Sequence, residues 1–155
     1  MATRMIAALP AVALLMLAGC AAAPDETGGG ASSDSDFLPC LVSTTGGFDD
    51  LSFNQFTLEG MQAAASELGV ETLKVQSENA EDYEGNIQAM IDQGCTLIQT
   101  LGFDMIDATR VAAQANPDID FIMIDTILFD ENGDALELDN VKPIVFQTRE
   151  PSFLA

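Results

Sequence analysis

Thr44-Thr45-Gly46-Gly47-Phe48-Asp49-Asp50-Leu51-Ser52-Phe53-Asn54-Gln55 is the stretch that decides the fold of this chain. An apolar run ends at Thr44, passes through two glycines and enters a segment with the marks of a helix start. Paired glycines let the backbone turn sharply and approach a small molecule closely. A helix start adds unpaired N–H donors and a partial positive charge. The turn is therefore a candidate ligand site, with Phe53 in the first helical turn able to stack on a flat ring. Plain connection is the competing reading, because a Gly-Gly turn serves any α/β unit and Phe53 could be a core residue. A phosphate loop is excluded: its lysine and second glycine are missing, and Asp49 and Asp50 would repel phosphate.

Outward from that turn, strand and helix signals alternate. Phe37 to Thr44 reads as a strand and Ser52 to Leu68 as a helix, with Ser52 as N-cap and Gln55 three residues on. Phe53, Phe56, Gly60, Met61, Ala64, Ala65 and Leu68 recur at helical spacing and predict a packed inner face. Gly69 ends that helix. A strand over Glu71 to Gln76 follows, then a helix from about Ala80 to Gln93 whose inner face is Tyr83, Ile87, Met90 and Ile91, closed by Gly94. Thr96 to Leu101 is the third strand, Met105 to Ala115 the third helix, and Pro117 prevents its continuation. Phe121 to Asp125 is a strand apolar up to its last residue, which predicts full burial. A polar excursion over Asp130 to Asp139, turning at Asn132-Gly133, leads to a last strand from Val141 to Phe146.

This alternation predicts an α/β fold, a doubly wound parallel sheet in three layers joined by right-handed crossovers. Ligands of such sheets sit beyond the carboxyl ends of the strands, near the point where strand order reverses. The candidate rim is Thr44 to Gly47, Ser77 to Asn79, Leu101 to Asp104, Asp125-Thr126 and Gln147. Gly102-Phe103 repeats the pairing of glycine with an aromatic residue. Asp125 ends a buried strand, where a carboxylate needs a partner or a ligand hydroxyl; a capping or hinge role is the alternative.

The chain carries 25 acidic and 5 basic residues and no histidine, a formal net charge of −20. Nucleic acid is excluded as a partner, since its phosphates require a basic footprint. The commonest general base and metal ligand is absent too, and no metal site is expected. Residues 1–20 read as an export signal: Arg4 precedes an apolar run from Met5 to Ala18 that is too short to span a bilayer comfortably. Leu17-Ala18-Gly19-Cys20 resembles the bacterial lipobox, in which the cysteine is lipidated and becomes the mature N-terminus; an ordinary secretory signal with a chance cysteine is the alternative. Residues 21–36, with Gly28-Gly29-Gly30, serines and carboxylates, form a flexible tether that cannot bury enough surface to order itself. Residues 37–155 then suffice for one domain. Cys40 and Cys95 lie at the starts of neighbouring strands in an oxidising compartment, so either a disulfide or two buried thiols fits.

The chain resembles the N-terminal part of a basic membrane protein family lipoprotein, of the purine nucleoside receptor group of ABC transporter substrate-binding proteins. The resemblance rests on the Gly46 to Gln55 stretch, above all the aspartate pair before Ser52-Phe53-Asn54. Further marks are Glu59-Gly60, Gly102-Phe103, Ile124-Asp125 and Phe146 with Ser152-Phe153-Leu154-Ala155. It implies a non-enzymatic, lipid-anchored receptor on the extracytoplasmic face of the membrane, with a type I periplasmic-binding fold. That receptor closes two lobes on a nucleoside and delivers it to an ABC permease, without a cofactor. By the same resemblance Phe53 is one of two aromatics that sandwich the base, and Ser52, Thr44, Gly102 and Asp125 are the polar or rim positions beside it.

Two positions depart from the family. Thr44 stands where an aspartate commonly accepts hydrogen bonds from the base, and Leu51 replaces a usual lysine; a threonine brings no charge, which puts base preference in question. The chain also stops within the helix that leads to the second lobe. A truncated, single-lobed form is the expectation, with a second polypeptide supplying the other lobe as the alternative. Two other classes stand beside the receptor reading: a non-binding lipid-anchored remnant or interaction protein, and an exported hydrolase using Asp49 and Asp50, or Asp125, as acid/base carboxylates.

Overall fold

The computed structural model describes residues 36–147. The lipobox with Cys20, the tether up to residue 35 and the Ser152 to Ala155 segment lie outside the described residues.

Five short apolar runs form one parallel sheet: β1 (Pro39–Val42), β2 (Leu73–Val75), β3 (Leu97–Leu101), β4 (Asp120–Ile124) and, beyond a small hairpin, β7 (Val141–Ile144), in the order β2-β1-β3-β4-β7. Strand order reverses between β1 and β3, so the carboxyl ends of these two strands flank the crevice where such sheets take ligands. The crossovers are α1 (Phe53–Leu68), α2 (Asp82–Asp92) and α3 (Ile106–Ala115), the last preceded by a 3₁₀ turn over Phe103–Met105.

Side-chain alternation along the strands assigns the helices to faces. Cys40 and Val42 of β1, Ile98 of β3 and Phe121 of β4 pack with Tyr83, Ile87 and Met90 of α2 and with Ala108 and Ala113 of α3. The opposite face carries Leu41, Leu101 and Ile124 against Leu58 and Met61 of α1. One face thus has two helices and the other has one. Helix, sheet and helix make the three layers that the alternation predicted.

Several expectations change in detail. The strands are shorter than their apolar runs, and α2 starts at Asp82, two residues after Ala80. The polar excursion contains a two-stranded antiparallel hairpin, β5 (Leu128–Phe129) with β6 (Ala135–Leu136). Asp130 sets its turn by accepting hydrogen bonds from the backbone N–H groups of Asn132 at 2.8 Å and Asp134 at 2.9 Å. The α1 stripe is split: Met61 and Ala65 are buried, whereas Phe53, Phe56 and Leu68 are exposed and Asn54 and Leu58 are buried instead. For the same reason β4 is not wholly buried, as Ile122 on the α1 side is half-covered. Cys40 and Cys95 are joined in a disulfide, with Cα atoms 5.9 Å apart across the β1–β3 pair. Asn140, just before β7, donates its side-chain amide to the carbonyls of Ala113, Asn116 and Ile119 at 3.0–3.1 Å, which ties the end of α3 to the start of β4.

Candidate functional site

After β1 the chain reverses in a turn closed by the Gly47 N–H donating to the Thr44 carbonyl at 3.1 Å. The two glycines of that turn serve different ends. Gly47 has φ +67°, a left-handed conformation that disfavours other residues. Gly46 lets the helix come close: a Cβ there would stand 3.2 Å from Asn54 Nδ2.

Ser52 holds the N-cap position of α1 as expected, but the side chain that caps the helix is that of Asp50, two residues earlier. Its Oδ1 accepts from the N–H groups of Ser52 at 2.9 Å and Gln55 at 3.0 Å, and its Oδ2 accepts from the N–H of Asn54 at 3.1 Å. Ser52 makes no side-chain capping bond. Both residues have capping chemistry; Leu51, at φ 51°, bends the chain so that the Asp50 carboxylate faces the open N–H groups. These donors, with the Asn54 amide, hold the Asp50 carboxyl below its ordinary value, although desolvation pulls the other way. A carboxylate so engaged is a poor proton donor near neutral pH.

Asn54 ties the turn to the helix. It is 3% exposed, and its Oδ1 accepts from the Thr44 N–H at 2.8 Å while its Nδ2 donates to Thr44 Oγ1 and to Asp50 Oδ2, each at 2.8 Å. Sequence reading placed Asn54 only within a signature. Its burial follows from the spacing of Asp50 and Asn54, four residues apart across a helix start, a pattern in which one amide can serve both the cap and the preceding strand end.

With the cap supplied by Asp50, the Ser52 side chain is free and lies on an open groove of about 600 Å³ beside α1. Phe53 lines the same groove and is 48% exposed, and its ring centroid lies 6.1 Å from that of Phe146 just beyond β7, with the planes tilted by 50°. Ser52 and Phe53 are therefore brought together. Thr44, Gly102 and Asp125 stand at the same carboxyl end of the sheet but do not line this groove. Gly102 follows β3 with φ 72° and ψ 177°, a backbone region almost confined to glycine, and its N–H donates to the Ile124 carbonyl at 2.9 Å. Beyond it Phe103 is exposed. Asp125 is left-handed at φ 66°, and its N–H donates to the Ile144 carbonyl at 2.7 Å. Phe56, Ile144 and Phe146 were not singled out as site residues, and each is an exposed apolar side chain on the groove.

Known proteins resemble this chain in sequence and in fold. Residues 39–155 match the family model described as Bmp, ABC transporter substrate-binding protein PnrA-like. The chain belongs to this Bmp family. Among similar proteins, the ABC transporter nucleoside-binding protein BmpA of Lactococcus lactis is 32% identical over 97% of this chain and 42% of its own length. Basic membrane protein A of Borreliella burgdorferi is 29% identical over 81% of this chain and 36% of its own length. A crystal structure of ABC transporter solute-binding proteins from Aeropyrum pernix superposes with a TM-score of 0.62 at 25% identity, over 72% of this chain and 29% of that one. The Bmp-family chain thus spans less than half the length of these relatives. Among its described residues no helix is long and apolar enough to cross a membrane, and no group of three or more His, Cys, Asp or Glu side chains is arranged for a metal ion.

Proposed function

We propose that this chain is a solute-binding lobe of an ABC transporter receptor for purine nucleosides, with Phe53 as the face on which the base stacks. The observation that carries this reading is Phe53 itself, a large aromatic held 48% exposed at the start of a rigidly capped helix on the crevice side of the sheet. An exposed phenylalanine on an ordered element supplies a polarisable face at low entropic cost. Ser52, released from capping, and Thr44, at the end of β1, supply polar contacts to base edges. Gly102 gives close backbone approach, and Asp125 is the acceptor available to a ligand hydroxyl. Asp49 after β1, Asp104 after β3 and Asp125 after β4 add negative charge at the carboxyl end of the sheet, which favours a nucleoside over a nucleotide.

In the full setting Cys20 carries a lipid, residues 21–36 are the tether, and the lobe works at the extracytoplasmic face of the membrane with a permease as partner. Support comes from the lipobox-like Leu17-Ala18-Gly19-Cys20 and from the family. Calorimetric titration of guanosine and adenosine into the purified chain and its Phe53→Ala variant tests the ligand reading. Binding weakened about 5- to 150-fold by the substitution is expected, since stacking on one aromatic contributes ~1–3 kcal/mol. Equal binding by both proteins, or none at millimolar nucleoside, would reject it.

A further inference from the structure

Solute binding makes no use of the acidity of the chain, whose net charge of −20 comes from 25 acidic residues against 5 basic ones. The fold does little to offset it. Among the described residues the one ion pair is Arg110 with Asp107 at 3.1 Å, between neighbours on α3 and with the Asp107 side chain 85% exposed. The Lys74 ammonium stands over the Phe48 ring, 4.8 Å from its centre. We infer that this domain is built for a medium of high ionic strength. A diffuse layer of monovalent cations is part of what keeps it folded, and removing salt weakens the fold.

Folding concentrates the charge. A compact chain of ~100 residues has a radius of gyration of ~13 Å, against ~30 Å unfolded, so the carboxylates repel one another more in the native state. The screening length is ~30 Å at 0.01 M salt and ~3 Å at 1 M. In dilute salt each carboxylate therefore feels the charges of the whole domain, whereas near 1 M it feels only its immediate neighbours. Self-repulsion of this kind falls hardest on the compact state, and salt removes it.

The placement of the acids sharpens the effect. None of α1, α2 and α3 has a basic residue in its last turn. Helix α1 carries Glu67 there and α2 ends on Asp92, both exposed, so each sets a negative charge against the negative end of a helix dipole. Such positions lower stability in dilute salt and become neutral when screened. The acids are also spread over helices, loops and hairpin. Among the described residues no group of three or more is arranged for a metal ion. The charge is a property of the whole surface, and mobile ions are suited to offset it.

The test is urea denaturation of the purified chain, without nucleoside, across about 0.02 to 1 M sodium chloride, with choline chloride as the second salt. The folding equilibrium constant is expected to rise at least about tenfold between the lowest salt and about 0.5 M, to level off by about 1 M, and to do so in both salts, because screening is indifferent to the cation. The double variant Glu67→Lys with Asp92→Lys, at two exposed positions, should be more stable than the parent in dilute salt and lose most of that advantage near 1 M, with unchanged circular dichroism. Stability that is flat or falls as salt is added would overturn the inference. So would a rise given by sodium and not by choline, which would make a discrete cation site the cause. A variant whose advantage is the same in dilute and concentrated salt would overturn it too. No nucleoside is present, so these outcomes are independent of the ligand titration.

Discussion

Asn54 donates its side-chain amide to Asp50 Oδ2 at 2.8 Å, and through this contact the end of β1 and the start of α1 become one rigid unit. The same amide group also satisfies both the N–H and the hydroxyl oxygen of Thr44. Asn54→Ala leaves the Thr44 N–H without its partner and removes one support of the cap. A loss of about 2–3 kcal/mol in unfolding free energy is expected, from an abandoned part-buried donor together with lost hydrogen bonds. Urea denaturation followed by circular dichroism measures it. Ser52→Ala, which removes no capping bond, should cost under about 0.5 kcal/mol in the same assay.

Protonation of Asp50 should make the domain weaker in acid. Desolvation raises the pKa of this carboxyl, but the N–H groups of Gln55 and Ser52 and the side chain and N–H of Asn54 lower it more, so it lies below the ordinary 3.8 in the folded chain. The unfolded state then takes up the proton first as pH falls. The stabilisation is fully present above the unfolded value and is lost as pH drops through the folded one. Asp50→Asn keeps a capping oxygen without the charge. The stability gap between the two proteins should therefore be constant from about pH 7 to 5 and shrink below about pH 4, as read from urea midpoints along a pH series.

How far these features could be read in advance differs from residue to residue. The order of elements was legible because each apolar run ends at a breaker: Gly69, Gly94 and Pro117 close helices where the structure closes them. The face of α1 was not. Phe53 and Phe56 share the helical period of Met61 and Ala65, and periodicity cannot distinguish a stripe covered by a neighbour from one left open. The choice between Asp50 and Ser52 as cap depends on the φ of Leu51, a backbone angle without a sequence signal in a residue that normally avoids it. The β5–β6 hairpin hid for another reason. Its strands are two residues each, too short for an alternating pattern, and only the Asn132-Gly133 turn announced it. Of the site, Phe53 and Ser52 were legible as partners along one helix turn, whereas Phe146 joins them only through the register of β7 against β4.

The Cys40–Cys95 disulfide should act on stability and resist reduction in the folded chain. Both residues are buried, at 0% and 2% exposure, so reductant reaches them only after opening. The bridge spans a sequence separation of 55, and closing a loop of that size removes unfolded-state entropy equivalent to about 4 kcal/mol. Replacing both cysteines by alanine should lower the unfolding free energy by about 2–4 kcal/mol, the usual range once packing adjusts. Labelling of Cys40 and Cys95 in native buffer with reductant should stay near zero and become complete in urea.

The hydroxyl pair Thr100 and Thr109 offers a test of how β3 is fixed to α3. Thr109 donates to Thr100 at 2.9 Å, and both side chains are fully buried. Thr109→Val replaces the hydroxyl by a methyl of similar size and leaves the Thr100 hydroxyl without that partner, which should cost about 1–3 kcal/mol. Thr100→Val has the mirror effect. Changing both removes the polar pair together with the penalty for an abandoned partner, so the double variant should be clearly more stable than the sum of the single losses implies. A coupling of at least about 0.5 kcal/mol in the double-mutant cycle is the expected signature of a direct contact. Strict additivity would mean that the two hydroxyls are satisfied separately, and β3 would then owe its position against α3 to apolar packing alone.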